Sequence, residues 1–301
     1  MAKPRIGIAL GSGSARGWAH IGVLEALAEA GIEPEIVCGT SIGALVGAAQ
    51  VAGRLPQLRD WVEAAGWREI VGLLDVRLTG GGLIDGKELL AFLNGLGLAG
   101  AIEDLPRRYA AVATDLASGR EMWLQTGALH EAVRASAALP GLFSPALREG
   151  RWLVDGGLCN PVPVSVCRAL GAEVIIAVNL NGDLVGRRFE TPPATPAPSA
   201  EGMGRALRDL PLALRDQAAA LAARLFPPGP ATPGYFDVLA NSINIMQDQI
   251  TRTRLAGDPP HVLLLPRLRD LALMDFHRGQ EAIAEGRACV EQALPALRRY
   301  L

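Results

Sequence analysis

The sequence predicts an α/β fold, a three-layer α/β/α sandwich around a mainly parallel central sheet. Three observations carry this expectation. Short apolar, β-like runs alternate with helix-like runs along the chain. Glycine-bearing turns stand where the first strands hand over to helices. The chain has 301 residues, half of them hydrophobic, which is enough apolar material for a core on both faces of a sheet.

Taken in order, "RIGIAL" (5–10) reads as a buried strand. It is followed by "GWAHIGVLEALAEAG", a helix with Ile21, Leu24 and Leu27 at helical spacing and Gly31 as its stop. "EIVCG" (35–39) is a second strand and "IGALVGAAQVAG" a second helix. "YAAVATDL" (109–116) and "EMWLQ" (121–125) are two strands around a Ser-Gly turn. "EVIIAVNL" (173–180) is a fully apolar strand and "HVLLLP" (261–266) another, and Asp275 to Arg299 reads as one long helix. In "FDVLANSINIMQDQITRTRL", Phe236, Leu239, Ile243, Met246 and Ile250 recur at helical spacing and predict a core-facing stripe.

One region breaks the alternation. Residues 187–202 and 226–234 are rich in Pro, Ser and Thr and are expected to be extended. Between them "MGRALRDLPLALRDQAAALAARLF" has a helix-like composition with Arg and apolar positions interleaved. The expectation is one domain, 1–301, with a Pro-rich helical insertion at about 182–234. That helix either caps the protein or lies on lipid, and capping is the simpler arrangement.

The totals exclude some function classes. A net charge of −2 with no Lys/Arg block argues against a nucleic-acid partner. The four cysteines, Cys38, Cys159, Cys167 and Cys289, form no C-x-x-C pair and no disulfide-like framework. Cys38, in an apolar run, reads as a small buried side chain. The chain enters its first strand directly, leaving no room for a signal peptide. "LLAFLNGLGLAGAI" is too short and too interrupted to span a bilayer. A soluble, cytoplasmic protein is the expectation, with contact at the inner face of a membrane as its one extension.

The chemistry centres on "GTSIG", residues 39–43. A G-x-S-x-G run between a strand and a helix is the nucleophile-elbow pattern, in which Gly39 and Gly43 relieve crowding and the Ser41 hydroxyl is pushed out above a helix N-terminus. An ordinary N-cap serine is the competing reading. "LGSGSARGWAH" (10–20) follows the first strand, and its glycines allow backbone N–H groups to approach a ligand. A dinucleotide fingerprint fails here, because the glycines fall at Gly11, Gly13 and Gly17 and the next strand ends in Gly39 and Ser41 rather than an acid. A Walker A loop fails for want of G-K-[ST]. No cofactor and no metal are expected. A loop of free N–H groups with Arg16 suits an oxyanion. In "RWLVDGGLCNPVPV" (151–164) Asp155 ends a short strand and Gly156–Gly157 gives it a tight, open turn. None of the four histidines, His20, His130, His261 and His277, lies in a glycine-bracketed loop, and each reads as a packing or capping residue.

Together these motifs resemble the patatin-like phospholipase family, most closely its bacterial cytoplasmic branch related to the esterase domain of neuropathy target esterase. The resemblance covers roughly 5–180 and 235–285. "LGSGSARGWAHIGVLEAL" resembles the family's oxyanion loop, "GTSIGA" its elbow and "DGG" its aspartate motif, while "RASAALPGLFSP" (134–145) and "SINIMQDQITRTRLAGDPP" (242–260) resemble two further blocks. The resemblance implies a patatin-like fold and a Ser–Asp dyad without a catalytic histidine. Ser41 would be the nucleophile and Asp155 the proton acceptor. The loop Gly11, Ser12, Gly13, Ser14, Arg16 and Gly17 would form the oxyanion hole, through N–H groups around Ser12, Gly13 and Ser14, with Arg16 orienting or charging it. Ser12 and Ser14 stand where the family often has glycine, which leaves less room near the acyl oxygen.

The implied substrates are acyl esters of lipids, commonly phospholipids or lysophospholipids. The residues themselves say less. Leu83, Ile84, Leu139, Leu142 and Phe143 flank Gly/Pro-rich turns where pocket walls form, although each taken singly reads more simply as core. A thioesterase or peptidase with the same nucleophile, and an idle scaffold that binds acyl groups or a partner, are the rival readings.

Overall fold

Five strands lie side by side and parallel in the computed structural model, which describes residues 3–66, 69, 85–183 and 235–300. They are β1 (Ile6–Leu10), β2 (Ile36–Thr40), β3 (Arg108–Asp115), β7 (Val174–Val178) and β8 (Val262–Leu264). Three further strands, β4 (Glu121–Leu124), β5 (Ala146–Arg148) and β6 (Arg151–Asp155), join antiparallel. The order is β5-β6-β3-β2-β1-β7-β8, with β4 also on β3. The sheet is therefore mixed, with its parallel strands in the middle.

Both faces are covered, which is why the central strands read as unbroken apolar runs. Ile8, Leu10, Val37, Ala111 and Ile176 point into one core cluster. Their alternating neighbours Ala9, Ile36, Cys38, Ala110 and Ile175 point into a second. The first cluster is closed by α1 (Ala19–Glu29), α2 (Ile42–Val51), α3 (Leu55–Ala64), α4 (Lys87–Gly95), α5 (Leu129–Ser136) and α8 (Gly279–Leu297). The second is closed by α6 (Val164–Ala169) and by Leu255 of α7 (Tyr235–Gly257). This is the three-layer arrangement the sequence predicts.

One detail of register positions the site. Val112 of β3 pairs with Thr40 and with Trp123, whereas Ala113 pairs with Met122 and with Asp155. A strand residue has only two edges, so β4 takes one edge and β2 and β6 share the other. They run in opposite directions, so their carboxyl ends meet. Thr40 and Asp155 thus face consecutive residues of β3, and Ser41 is the next residue after Thr40.

Several expectations need correction. The last helix begins at Gly279, after a 3-10 turn at Phe276–Arg278. Met246 is 49% exposed and belongs to no apolar stripe. The buried face of α7 carries Ile243, Asn244, Gln247, Asp248 and Thr251, so it is mostly polar. The side chains of Phe236 and Leu239, the pair Leu83 and Ile84, and the insertion helix at 203–226 lie outside the described residues. The chain groups into two units, Met1–Leu184 with Ile243–Leu301, and Val185–Ser242. Among the described residues no helix is long and apolar enough to cross a membrane.

Candidate active site

Ser41 stands between the end of β2 and the start of α2, with φ +59° and ψ −123°. A side chain at this φ is strained, and strain of this kind persists only where its surroundings impose it. Here the neighbouring glycines make it possible. A Cβ on Gly39 would come within 2.3 Å of the Gly43 carbonyl oxygen, and one on Gly43 within 2.2 Å of the Leu10 carbonyl oxygen. The turn can be that tight only without side chains at either position. It lifts the Ser41 hydroxyl into a cavity and places it at the N-terminus of α2.

The Ser41 hydroxyl donates to Asp155 Oδ2 at 2.5 Å. Asp155 is 1% exposed, and its other oxygen, Oδ1, accepts the Gly157 N–H at 2.7 Å. That second bond fixes which oxygen faces the serine. Burial pushes the Asp155 carboxyl up to about 6, against the opposing pull of the hydrogen bonds from Ser41 and Gly157. A carboxylate so placed is a far better proton acceptor than one in water. Gly156 is needed for the approach, because a Cβ there would sit 2.2 Å from the Val112 carbonyl oxygen.

The loop after β1 lines the same cavity through Ser12, Gly13 and Ser14. The N–H of Gly11 goes to Val178 O and that of Ser12 to Pro161 O, at 3.0 and 2.8 Å. The N–H groups of Gly13 and Ser14 have no partner among the described residues, and both residues line the cavity with Ser41. The loop N–H groups without a partner beside Ser41 are thus those of Gly13 and Ser14, whereas that of Ser12 is engaged by Pro161 O. Arg16 is also placed differently from the expectation. It is wholly buried away from the cavity, and its guanidinium donates to Leu271 O at 2.9 Å and Asn181 Oδ1 at 3.4 Å. Its charge braces the loop from behind. Gly17 packs on Ile42 at the first turn of α2, and neither Gly11 nor Gly17 lines the cavity.

None of the four histidines lines the cavity. His20 is fully buried, with Nε2 at 2.8 Å from Gly11 O, and burial pushes its imidazole down to about 4 against that bond. It is neutral at pH 7 and anchors the loop as a donor. His261 Nδ1 accepts the Ile175 N–H at 3.0 Å at the far end of the sheet edge. Among the described residues no group of His, Cys, Asp and Glu is arranged to hold a metal ion.

The cavity holds about 120 Å³ and is mainly apolar. Leu139, Leu142 and Phe143 do line it, and Phe143 also packs against the first core cluster. Phe92, Trp61, Trp18 and Phe276 form a connected aromatic wall, with successive centroids 4.5, 6.3 and 6.0 Å apart. Two supporting residues escaped the sequence reading. Ser136 Oγ accepts the Ser41 N–H at 2.9 Å and donates to Val112 O at 2.6 Å. Gln247 Oε1 accepts from Ser12 Oγ at 3.0 Å and from Asn181 Nδ2 at 3.2 Å, tying the loop to α7. The blocks "RASAALPGLFSP" and "SINIMQDQI" contain these residues, but nothing local marks a single serine or glutamine inside them.

Comparison with known proteins identifies the family. The family model described as patatin-like phospholipase matches residues 8–168. An uncharacterised NTE family protein of Mycobacterium tuberculosis is 36% identical over 336 aligned residues, spanning 98% of this chain and 92% of that one. The patatin-like phospholipase domain-containing protein 7 of Rattus norvegicus is 37% identical over 194 residues, 62% of this chain and 14% of that much longer protein. Among solved structures, VipD from Legionella pneumophila matches 98% of this chain and 67% of its own at 12% identity and a TM-score of 0.47, a likeness too loose to inform the site.

Proposed function

The chain belongs to the patatin-like phospholipase family, and from that premise we propose that it is a serine acyl hydrolase cleaving acyl esters of phospholipids, lysophospholipids or related lipids. One observation carries the reading: a strained serine hydroxyl lies 2.5 Å from a buried carboxylate at the wall of an apolar cavity.

In this mechanism Ser41 Oγ attacks the ester carbonyl while its proton passes to Asp155 Oδ2. The oxygen that becomes negative is held by the Gly13 and Ser14 N–H groups, helped by the N-terminus of α2. Asp155 then returns the proton to the departing alkoxide, leaving acyl-Ser41. A water deprotonated by the same carboxylate releases the acid and restores the serine. Donors compensate for a base that is weak even when raised, since each pKa unit is worth about 1.4 kcal/mol of proton affinity. The acyl chain lies against the aromatic wall. A lipid substrate brings the cavity mouth to a membrane surface, and four free thiols suit the reducing cytoplasm as the compartment.

Fluorophosphonate labelling with a panel of acyl ester, thioester and amide substrates tests the proposal. The expected result is a covalent adduct on Ser41 and turnover of lipid esters. No adduct would leave an acyl-binding scaffold, and turnover confined to amides or thioesters would leave a peptidase or thioesterase.

A further inference from the structure

The Gly13 and Ser14 N–H groups have no partner among the described residues, so the stretch that carries them is held by what flanks it. A glycine in such a loop leaves the backbone many alternatives. Donors stabilise a developing charge only when they are already aimed at it.

The two flanking side chains, Ser12 and Arg16, are joined by a hydrogen-bonded bridge. Ser12 Oγ donates to Gln247 Oε1 at 3.0 Å, and Asn181 Nδ2 donates to the same oxygen at 3.2 Å. Arg16 Nη1 donates to Asn181 Oδ1 at 3.4 Å, the longest link and the one that carries a charge. With the main chain from Ser12 to Arg16 these links close a ring, and Gly13 and Ser14 lie on its arc. None of the four residues is more than 4% exposed.

Each carboxamide is used in the way its chemistry allows. Gln247 accepts two bonds on one carbonyl oxygen, while Asn181 donates with its nitrogen and accepts with its oxygen. The bridge is also anchored. Asn181, just past β7, has its own N–H on Asn179 Oδ1 at 3.0 Å, and Arg16 Nε donates to Leu271 O at 2.9 Å. Leu180 packs so closely on the loop that a Cβ on Gly13 would come within 2.7 Å of Leu180 Cδ1. Asn181 itself does not line the cavity.

We propose that Asn181 and Gln247 are positioning residues, which hold the Gly13 and Ser14 N–H groups toward the oxyanion through the bridge from Ser12 to Arg16. This assignment rests on the acyl-hydrolase reading above. The bridge acts as one unit, because cutting any link opens the whole ring. A shift of about 1 Å in a group that must meet the reacting atoms is enough to slow a reaction on the order of 100-fold.

The test measures hydrolysis of a medium-chain acyl ester and the rate of fluorophosphonate labelling in four variants, well below their melting temperatures. Ser12→Ala and Asn181→Leu, which cut the ring at different links, should each lower kcat and the labelling rate by about 10-fold or more with KM within about two-fold of wild type. The double variant should be no slower than the slower single one, since both changes open the same ring. Asn181→Asp should stay within about three-fold of wild type, because the Gln247 carboxamide can turn over and donate to both the new carboxylate and Ser12. Unchanged kcat in both single variants, losses confined to KM, losses that multiply in the double variant, or an Asn181→Asp protein as slow as Asn181→Leu would each overturn the proposal. Ser12→Ala and Asn181→Asp decide it alone if Asn181→Leu does not fold. These failures leave the acyl-hydrolase reading standing. A wild-type protein that hydrolyses no ester and forms no adduct on Ser41 removes that reading, and the positioning role with it.

Discussion

The backbone N–H of Ser41 donates to the hydroxyl of Ser136, and that hydroxyl in turn donates a hydrogen bond to Val112 O. The nucleophile's main chain is thus tied to β3 through one fully buried side chain on α5. The register of the sheet brings Ser41 and Asp155 together, and this relay sets how the elbow is tilted between them.

Ser136→Ala should therefore act on chemistry more than on binding. It leaves the Ser41 N–H without its partner, at a cost of about 1–3 kcal/mol. The cavity walls do not change, because Ser136 does not line them. A fall in kcat with KM little altered, and slower fluorophosphonate labelling of Ser41, are the expected outcomes. Loss of thermal stability with an unaltered labelling rate would reduce Ser136 to a packing residue.

The strain at Ser41 can be measured by comparing two variants that both lack the hydroxyl. Ser41→Ala keeps a Cβ at φ +59°, and Ser41→Gly removes it. Glycine normally destabilises a site relative to alanine. Here Ser41→Gly should be the more stable of the two by about 1–2 kcal/mol. Denaturant titration of both proteins decides the matter, and an alanine variant equal to or above the glycine one would contradict the strained elbow. Neither should take up the fluorophosphonate.

How far the sequence foretells this site depends on what kind of force places each residue. Strands buried on both faces read as continuous apolar runs, so β1, β2 and β7 are legible, and the glycines of the elbow and of Gly156–Gly157 announce backbone crowding. Asp155 is legible only as the end of a strand, because the partner that makes it a base lies 114 positions away. The resemblance implies that Arg16 orients or charges the oxyanion loop, yet the direction of a long side chain is not set by its place in a motif, and it turns to Leu271 and Asn181. The stripe expected on α7 keeps Ile243 but breaks at the exposed Met246, and periodicity, which counts apolar residues only, misses that the helix buries Asn244 and Gln247 against the site. Ser136 gives no signal at all, being one small polar residue of α5 whose partners are the turn after β2 and a carbonyl inside β3.

The pH dependence of turnover should report Asp155. The base must be ionised, and its folded value is about 6. Activity is expected to fall roughly ten-fold per pH unit below that value and to level off above it. His20, held near 4 and bonded to Gly11 O, contributes no step between pH 5 and 8. The limb should persist in His20→Gln, whose amide can still donate to Gly11 O. A limb that disappears in that variant, or one centred near the ordinary carboxylate value, would contradict the assignment.

The same two buried groups make opposite demands on folding. Asp155 is raised from 3.8 to about 6, so the folded state holds its proton more tightly; its contribution is full below pH 4 and is lost as pH rises through 6. His20 is lowered from 6.5 to about 4, so its contribution is full above pH 6.5 and is lost as pH falls toward 4. Each amounts to something on the order of 3 kcal/mol, by linkage at about 1.4 kcal/mol per pKa unit. Between pH 4 and 6 one rises while the other falls, and in the intact protein they nearly cancel. Removing either should expose the other. Relative to wild type, Asp155→Asn should lose stability steadily from pH 6 down to 4, and His20→Gln should gain over the same interval. Urea midpoints measured for the three proteins across this range supply the difference curves. Parallel curves would show that one of these groups already titrates at its unfolded value in the native protein.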